Sequence, residues 1–255
     1  MQELIARRQF TESYIWLDIL FLFLYAGLLL YKKKKTSFFV GLLFGLVYFA
    51  VDYGIFHLAL NTRSISPGHS LFKVLLWMSM SYGFTNFSWI WLAMDRDENL
   101  FEWSFLIFSW WLAAPLIARL VGPSQPPILI QRTTSSYHGA MAIMLFLGYL
   151  ILILYNLREK EKARRLPIPR LLFIGILIQF AWEFALLLGG IRSAGFASLS
   201  QKLRPLLINS LLETNLGMPY IYLIFIHFTG KWTEDLRRRN PPLTFSQRVE
   251  ENNRS

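Results

Sequence analysis

Three acidic residues lie inside long apolar runs, where an ionisable side chain is energetically costly. They are Asp52, in Phe49-Ala50-Val51-Asp52-Tyr53, Glu183, in the similar segment Phe180-Ala181-Trp182-Glu183-Phe184, and Glu213 in the last run. Such a residue at the centre of a membrane helix costs on the order of 3 kcal/mol on insertion scales, so it usually faces protein or a wet cavity. Burial and neighbouring acids keep a carboxylic acid protonated at neutral pH, and a neutral acid can then donate a proton. The alternative interpretation is structural, with the three acids hydrogen-bonding across helices.

Polar and aromatic residues recur at helical spacing on the same faces as these acids. All three acids also fall at a similar depth, so the sequence predicts one shared pocket for a lipophilic small-molecule substrate. Aromatic faces there can stabilise positive charge by roughly 0.5–2 kcal/mol each. The predicted binding residues are Tyr48, Tyr53, His57, Tyr82, Asn86, Trp89, Gln179, Trp182, Asn209 and Tyr220.

The sequence predicts neither a metal site nor a cofactor. The chain has no cysteine, which excludes thiolate ligands, disulfides and cysteine nucleophiles. Its four histidines do not have a ligand spacing, and no lysine lies well inside the last apolar run, where a retinal Schiff base would need one. Phosphate-binding loops and dinucleotide fingerprints are also absent from the sequence.

The elements that must position the acids are membrane-spanning helices. Of the 255 residues, 54% are hydrophobic, and they come in runs of about 20, the length that spans a bilayer. The net charge of +10 lies between these runs, which indicates contact with the lipid bilayer rather than a nucleic-acid surface. The chain is therefore predicted to be an all-α polytopic membrane protein with a single membrane domain, residues 1–255. The seven predicted helices cover residues 14–31, 37–60, 71–94, 101–121, 138–156, 170–190 and 205–228.

An internal repeat is predicted from matching segments in the two parts of the chain. Thr62-Arg63-Ser64 follows the second helix, as Ile191-Arg192-Ser193 follows the sixth. This gives a 3+1+3 plan of parallel repeats: residues 14–94, a linker helix 101–121, residues 138–228, and a cytoplasmic tail 229–255. Chance similarity among apolar helices is the alternative. Lysine and arginine are richer in the loops after helices 1, 3, 5 and 7, which predicts an external N-terminus and a cytoplasmic C-terminus.

With Asp52 and Glu213 in helices 2 and 7, the chain resembles the small seven-helix membrane terpene cyclases of meroterpenoid and indole-terpenoid pathways. The resemblance implies an isomerase or lyase of terpenoid biosynthesis that protonates a prenyl chain, with Asp52 and Glu213 as the acid pair and Glu183 as an additional partner. The sequence departs from that pattern by having Asp52 where the family has a glutamate, and by carrying Ala181-Trp182-Glu183 in helix 6.

The same helix plan also resembles the 3+1+3 transporters of the SWEET and PQ-loop kind. Those transporters use proline-kinked helices, whereas here only Pro115 and Pro219 lie within predicted helices. Rigid helices favour a fixed cavity, so the sequence favours the cyclase. A small-solute transporter and a non-catalytic membrane protein are the alternatives.

Overall fold

In a computed structural model, the described residues of the protein form seven helices and one small sheet. The structure describes residues 7–122, 124, 126–132, 137–161, 164–194 and 198–230. The predicted tail lies almost wholly outside these residues. The helices are α1 (Glu12–Tyr31), α2 (Lys35–Phe49, continued by a π-helix over Ala50–Ala59), α3 (Leu71–Asp95), α4 (Leu100–Val121), α5 (His138–Arg158), α6 (Ile168–Leu188) and α7 (Leu199–Thr229).

Five of these helices are long and apolar enough to cross a membrane: α1, α2 with its π-helical continuation, α4, α5 and α6. The mostly helical class and the multi-pass membrane character predicted from the sequence are thereby confirmed. A stretch of about 20 apolar residues is what the hydrocarbon core of a bilayer requires, and each of the five provides it.

Helix α3 is the core of the bundle. Nearly all of its residues from Val74 to Met94 are buried, including Ser79, Thr85 and Asn86. It packs against α2 at very short range, because a Cβ added at Gly83 would lie 2.6 Å from the Cα atom of Gly45. Small residues permit such close helix crossings. A helix enclosed by protein does not need an apolar outer face, which explains why α3 is less apolar than the five others.

Four short strands form an antiparallel sheet that the sequence analysis did not predict. They are β1 (Arg7–Phe10), β2 (Arg63–Ile65), β3 (Ile128–Arg132) and β4 (Arg192–Ala194), in the order β2-β3-β1-β4. Strand β1 precedes α1, and the other three follow α2, α4 and α6, so all four lie at the same end of the bundle. Strands of three to five residues leave almost no periodicity in a sequence, and their pairing is set by the packed helices.

Two helix boundaries differ from their predicted positions for local reasons. Helix α7 begins at Leu199, before Pro205, because Ser198 and Gln201 form a capping box at its N-terminus. The second predicted helix changes at Ala50 from α- to π-helical geometry. Asp52 lies in the first turn of that wider segment, and π-helical geometry is frequent at functional sites.

Candidate functional site: an arginine–carboxylate cluster beneath the sheet

Each strand of the sheet contributes one arginine to a buried cluster. Arg63 on β2 is the direct cross-strand partner of Arg132 on β3, and Arg8 on β1 is the partner of Arg192 on β4. Like charges directly opposite one another destabilise a pair of strands. Each arginine pair is therefore expected to need an anion, and the structure provides a carboxylate to each.

Asp52 binds the first arginine pair. Its Oδ1 atom lies 2.7 Å from both Nε and Nη2 of Arg63 and 3.2 Å from Nη2 of Arg132. The aspartate is 2% exposed, so it is held in a setting with little water. Charge-assisted bonds of this kind are about twice as strong as neutral hydrogen bonds.

Glu183 binds the second pair. Arg192 Nε lies 3.0 Å from Glu183 Oε2, and Arg8 Nη2 lies 3.7 Å from Oε1, which makes the Arg8 contact the loosest in the cluster. Asn209 on α7 donates to Oε1 at 3.2 Å. Glu183 is completely buried, so these groups replace the water that an ionised carboxylate would otherwise bind. Together the six charged residues are called the arginine–carboxylate cluster: Arg8, Arg63, Arg132, Arg192, Asp52 and Glu183.

The charges of the cluster act on one another. The pKa of Arg8 is lowered to about 10, mainly by burial and then by the nearby cations Arg192 and Arg132, which outweigh the opposite effect of the acids Glu183 and Glu213. Burial would also lower the pKa of Arg132, but Asp52 outweighs it, with Tyr48 and Glu213, and raises that pKa well above its usual range. The surroundings of Arg132 therefore stabilise its charged form, whereas the surroundings of Arg8 disfavour its charged form.

The third predicted acid, Glu213, belongs to a neutral hydrogen-bond chain beside the cluster. Gln179 Nε2 donates to Glu213 Oε2 at 3.0 Å, and Gln179 Oε1 accepts from the Tyr82 hydroxyl at 2.7 Å and from the Thr214 hydroxyl at 2.6 Å. Among the described side chains Glu213 makes no ion pair. This chain connects to the cluster through Tyr48, whose hydroxyl accepts from Arg132 at 3.3 Å and whose ring lies 4.7 Å from that of Tyr82.

Most of the predicted site residues lie in or near this region. Trp182 packs on Tyr82, with ring centroids 6.0 Å apart, and on Trp111, 4.9 Å away. Asn86 is fully buried on α3, and within the described residues its side-chain amide has no hydrogen-bond partner. The structure thus brings together eight of the predicted residues: Asp52, Glu183, Glu213, Tyr48, Tyr82, Gln179, Trp182 and Asn209.

Four predicted binding residues make other contacts. Tyr53 packs in an aromatic group with Phe72 and His57, its ring 5.1 and 5.3 Å from theirs. Trp89 Nε1 donates to the hydroxyl of Ser104 on α4 at 2.8 Å. Tyr220 is 38% exposed and donates to the carbonyl of Met144 on α5 at 3.0 Å. Helical spacing located these residues near the acids along the chain but did not fix the direction of their side chains.

The sequence analysis missed the arginines and one acid. Arg63 and Arg192 had been noted only as parts of the repeat, although they follow the acids Asp52 and Glu183 by 11 and 9 residues. Asp18 on α1 meets the same criterion as the other three acids, because it lies in the apolar segment Trp16-Leu17-Asp18-Ile19-Leu20. It is 1% exposed and accepts a hydrogen bond from Trp77 Nε1 at 2.8 Å.

Cavities lie at the sheet end of the bundle. One of about 20 Å³ is lined by Arg8 and Trp182 among others, and another of about 190 Å³ lies by Thr11 and Arg119. Both are below the roughly 300 Å³ at which small-molecule pockets usually begin. Within the described part of the chain, His, Asp and Glu form no group that could hold a metal ion.

Comparisons with known proteins do not add evidence on function to these contacts. No protein-family profile, no curated protein sequence and no solved structure matches the chain. The function is therefore argued from the geometry of the site.

Proposed function

We propose that this chain is a small-solute transporter with seven spans, built from two like three-helix halves joined by α4. In this proposal α3 and α7 are the sixth and seventh spans, and their polar residues are tolerated because they face the other helices. The buried run along α3 supports this. Polar groups inside membrane proteins usually face the bundle interior and mark the path of an ion or solute.

The order of elements supports the two-half plan. Residues 7–95 form strand–helix–helix–strand–helix, and residues 128–229 form the same series. In the sheet, the outer strand of each part pairs with the inner strand of the other part, β2 with β3 and β4 with β1. A two-fold axis between β1 and β3 would produce this order, and parallel repeats about an axis along the membrane normal are a common transporter plan.

The observation that carries the proposal is that each acid is paired with one arginine from each half of the chain. Asp52 pairs with Arg63 from its own half and with Arg132 from the other half. Glu183 likewise pairs with Arg192 from its own half and with Arg8 from the other. Ion pairs between the halves at one end of the bundle close that end and can be exchanged for water when the halves separate. This is the arrangement expected of a gate in alternating access. With the N-terminus outside, the closed end faces outward.

A terpene cyclase is the second candidate, and Glu213 is the residue that favours it. Asp52 and Glu183 are each already paired with two arginines. Glu213 instead shares a hydrogen bond with neutral Gln179, beside the aromatic ring of Tyr82. If the protein is a cyclase, Glu213 is the acid that protonates the prenyl substrate.

One preparation tests both candidates. Purified protein is reconstituted in liposomes and assayed for counterflow with labelled sugars, amino acids and carboxylic acids, and in parallel it is incubated with prenylated epoxides. The transporter predicts saturable counterflow of at least one solute, with a large loss in Asp52→Asn and little change in the surface variant Glu161→Gln. Products of unchanged mass and new retention time, lost in Glu213→Gln, would instead establish the cyclase and overturn the transport proposal.

A further inference from the structure

Asp18 is a buried acid that lies outside the arginine–carboxylate cluster of the proposed gate. It lies in the first third of α1 and is 1% exposed. It accepts a hydrogen bond from Trp77 Nε1 on α3, a neutral donor, and the uncharged Ser81 lies nearby on the same helix. Among the described residues it forms no ion pair. An acid inside a membrane helix without a cation beside it is a candidate for reversible protonation.

A small cavity connects the surroundings of Asp18 with the arginine–carboxylate cluster. Trp77, which donates a hydrogen bond to Asp18, and the nearby Ser81 line the cavity of about 20 Å³, and so does Arg8, which pairs with Glu183. Tyr14 also lines it and lies near enough to interact electrostatically with both Asp18 and Arg8. A cavity of this volume can hold one water molecule, which would lie between the residues around Asp18 and Arg8.

Arg8 is the arginine best placed to respond to a charge on Asp18. It is 3.7 Å from Glu183, whereas the other three arginines of the cluster lie 2.7–3.2 Å from their carboxylates. It also comes from β1, the strand that leads directly into α1. A negative charge on the far side of the cavity therefore attracts a cation that is only weakly held.

Apart from Arg8, the described residues that line the cavity beside Asp18 carry no charge that could compensate an ionised Asp18. Strand β1 contributes Arg8, α1 itself contributes Tyr14, and α3 contributes the uncharged Trp77 and Ser81. Helix α4 packs on α1 with Trp110 against Phe21 and with Trp103 against Tyr25, and its Arg119 lines the second cavity together with Tyr14.

We propose that Asp18 is a proton-binding site that controls the arginine–carboxylate cluster. With Asp18 protonated and neutral, Arg8 stays on Glu183 and the sheet end is closed, as in this structure. Loss of the proton to water leaves a carboxylate that draws Arg8 across the cavity, so Glu183 keeps only Arg192 and the halves are less firmly held. Coupling of this site to solute movement rests on the proposed transport function, whereas the proton site itself does not.

Infrared difference spectroscopy tests the proton site directly. Protein in nanodiscs is titrated between about pH 5 and pH 8, the range into which burial shifts carboxylic acids. We expect the C=O band of a protonated acid to disappear as the pH rises, to be absent from Asp18→Asn, and to return at a shifted pH in Asp18→Glu. The exposed control Glu102→Gln keeps the band unchanged. A titrating band that persists in Asp18→Asn, or no titrating band in wild-type protein, overturns the proposal.

A labelling experiment tests the connection to Arg8. The chain has no cysteine, so Met78→Cys provides a single thiol in the lining of the cavity. We expect a small water-soluble maleimide to label it several-fold faster above the transition than below it, and the rate to be independent of pH when Asp18→Asn is added. Equal rates at both pH values in the single variant would exclude the proposed movement. Neither readout requires transport, so absent counterflow would refute the transporter and leave the proton site standing.

Discussion

Replacing Asp52 by asparagine tests whether the arginine–carboxylate cluster holds the protein together. Asparagine keeps the size of the side chain and removes its charge. Arg63 and Arg132, whose side chains are 0% and 14% exposed, would then face each other across β2 and β3 without an anion. Removing one member of a buried ion pair costs roughly 3–5 kcal/mol, because the remaining charge is left buried and uncompensated. We expect a loss of that size in the free energy of unfolding.

The assay is equilibrium unfolding of the purified protein in mixed micelles with increasing denaturing detergent. The matched control is Glu161→Gln, which breaks the Glu161–Arg164 pair on an exposed turn, where the side chains are 52% and 62% exposed. Exposed pairs contribute at most about 1 kcal/mol, so the control should lie close to wild type. An Asp52→Asn protein as stable as the Glu161→Gln protein would refute the reasoning.

A second substitution separates lost charge balance from lost shape. Arg132→Gln removes one of the two cations that Asp52→Asn leaves unpaired, so the double variant should be less destabilised than the sum of the single variants. Residues in direct contact usually show coupling free energies of about 0.5–3 kcal/mol in such a cycle. If the losses in unfolding free energy simply add, the two side chains act independently and the cluster does not act as a unit.

Two further predictions concern the packing of α3. Gly83→Ala places a Cβ 2.6 Å from the Cα atom of Gly45, so overpacking should cost about 1–3 kcal/mol of unfolding free energy, whereas Gly27→Ala, with open space around it, should be neutral or stabilising; equal effects would contradict the close crossing. Tyr82→Phe removes the hydroxyl that donates to Gln179 and should cost about 0.5–1.5 kcal/mol, and unchanged stability would mean that this hydrogen bond contributes nothing.

The helices were predictable because a run of about 20 apolar residues is a strong signal in a sequence. Within the described residues the seven predicted segments correspond to seven helices, of which five are long and apolar enough to cross a membrane. The three predicted acids were found by the same logic, since a charge inside an apolar run stands out. Their interpretation as proton donors rested on burial and on neighbouring acids, and it changes once Arg63, Arg132 and Arg192 lie beside two of them.

The sheet and its arginines were not predictable from the same signals. A three-residue strand such as β2 has no measurable alternation, and Arg63 in a loop sequence is indistinguishable from the basic residues that fix membrane topology. Only the packed helices bring Arg132 to Asp52, which precedes it by more than 70 residues. Side-chain direction was the other limit, because Tyr220 shares a helix with Glu213 yet hydrogen-bonds to Met144 on α5.

Disulfide trapping across the sheet tests the central claim, that the parts of the chain before and after α4 are joined at one end by strands carrying the arginines. Gln9 on β1 and Leu129 on β3 are direct cross-strand partners, close enough for a disulfide. Ser64 lies on β2, on the far side of β3 and roughly 9–10 Å from β1. Because the chain has no cysteine, each engineered pair reports only on itself. The account predicts that the double variant Gln9→Cys/Leu129→Cys forms its disulfide rapidly and that Gln9→Cys/Ser64→Cys forms little. Failure of the first variant to form a disulfide, or equal oxidation of both variants, would contradict it.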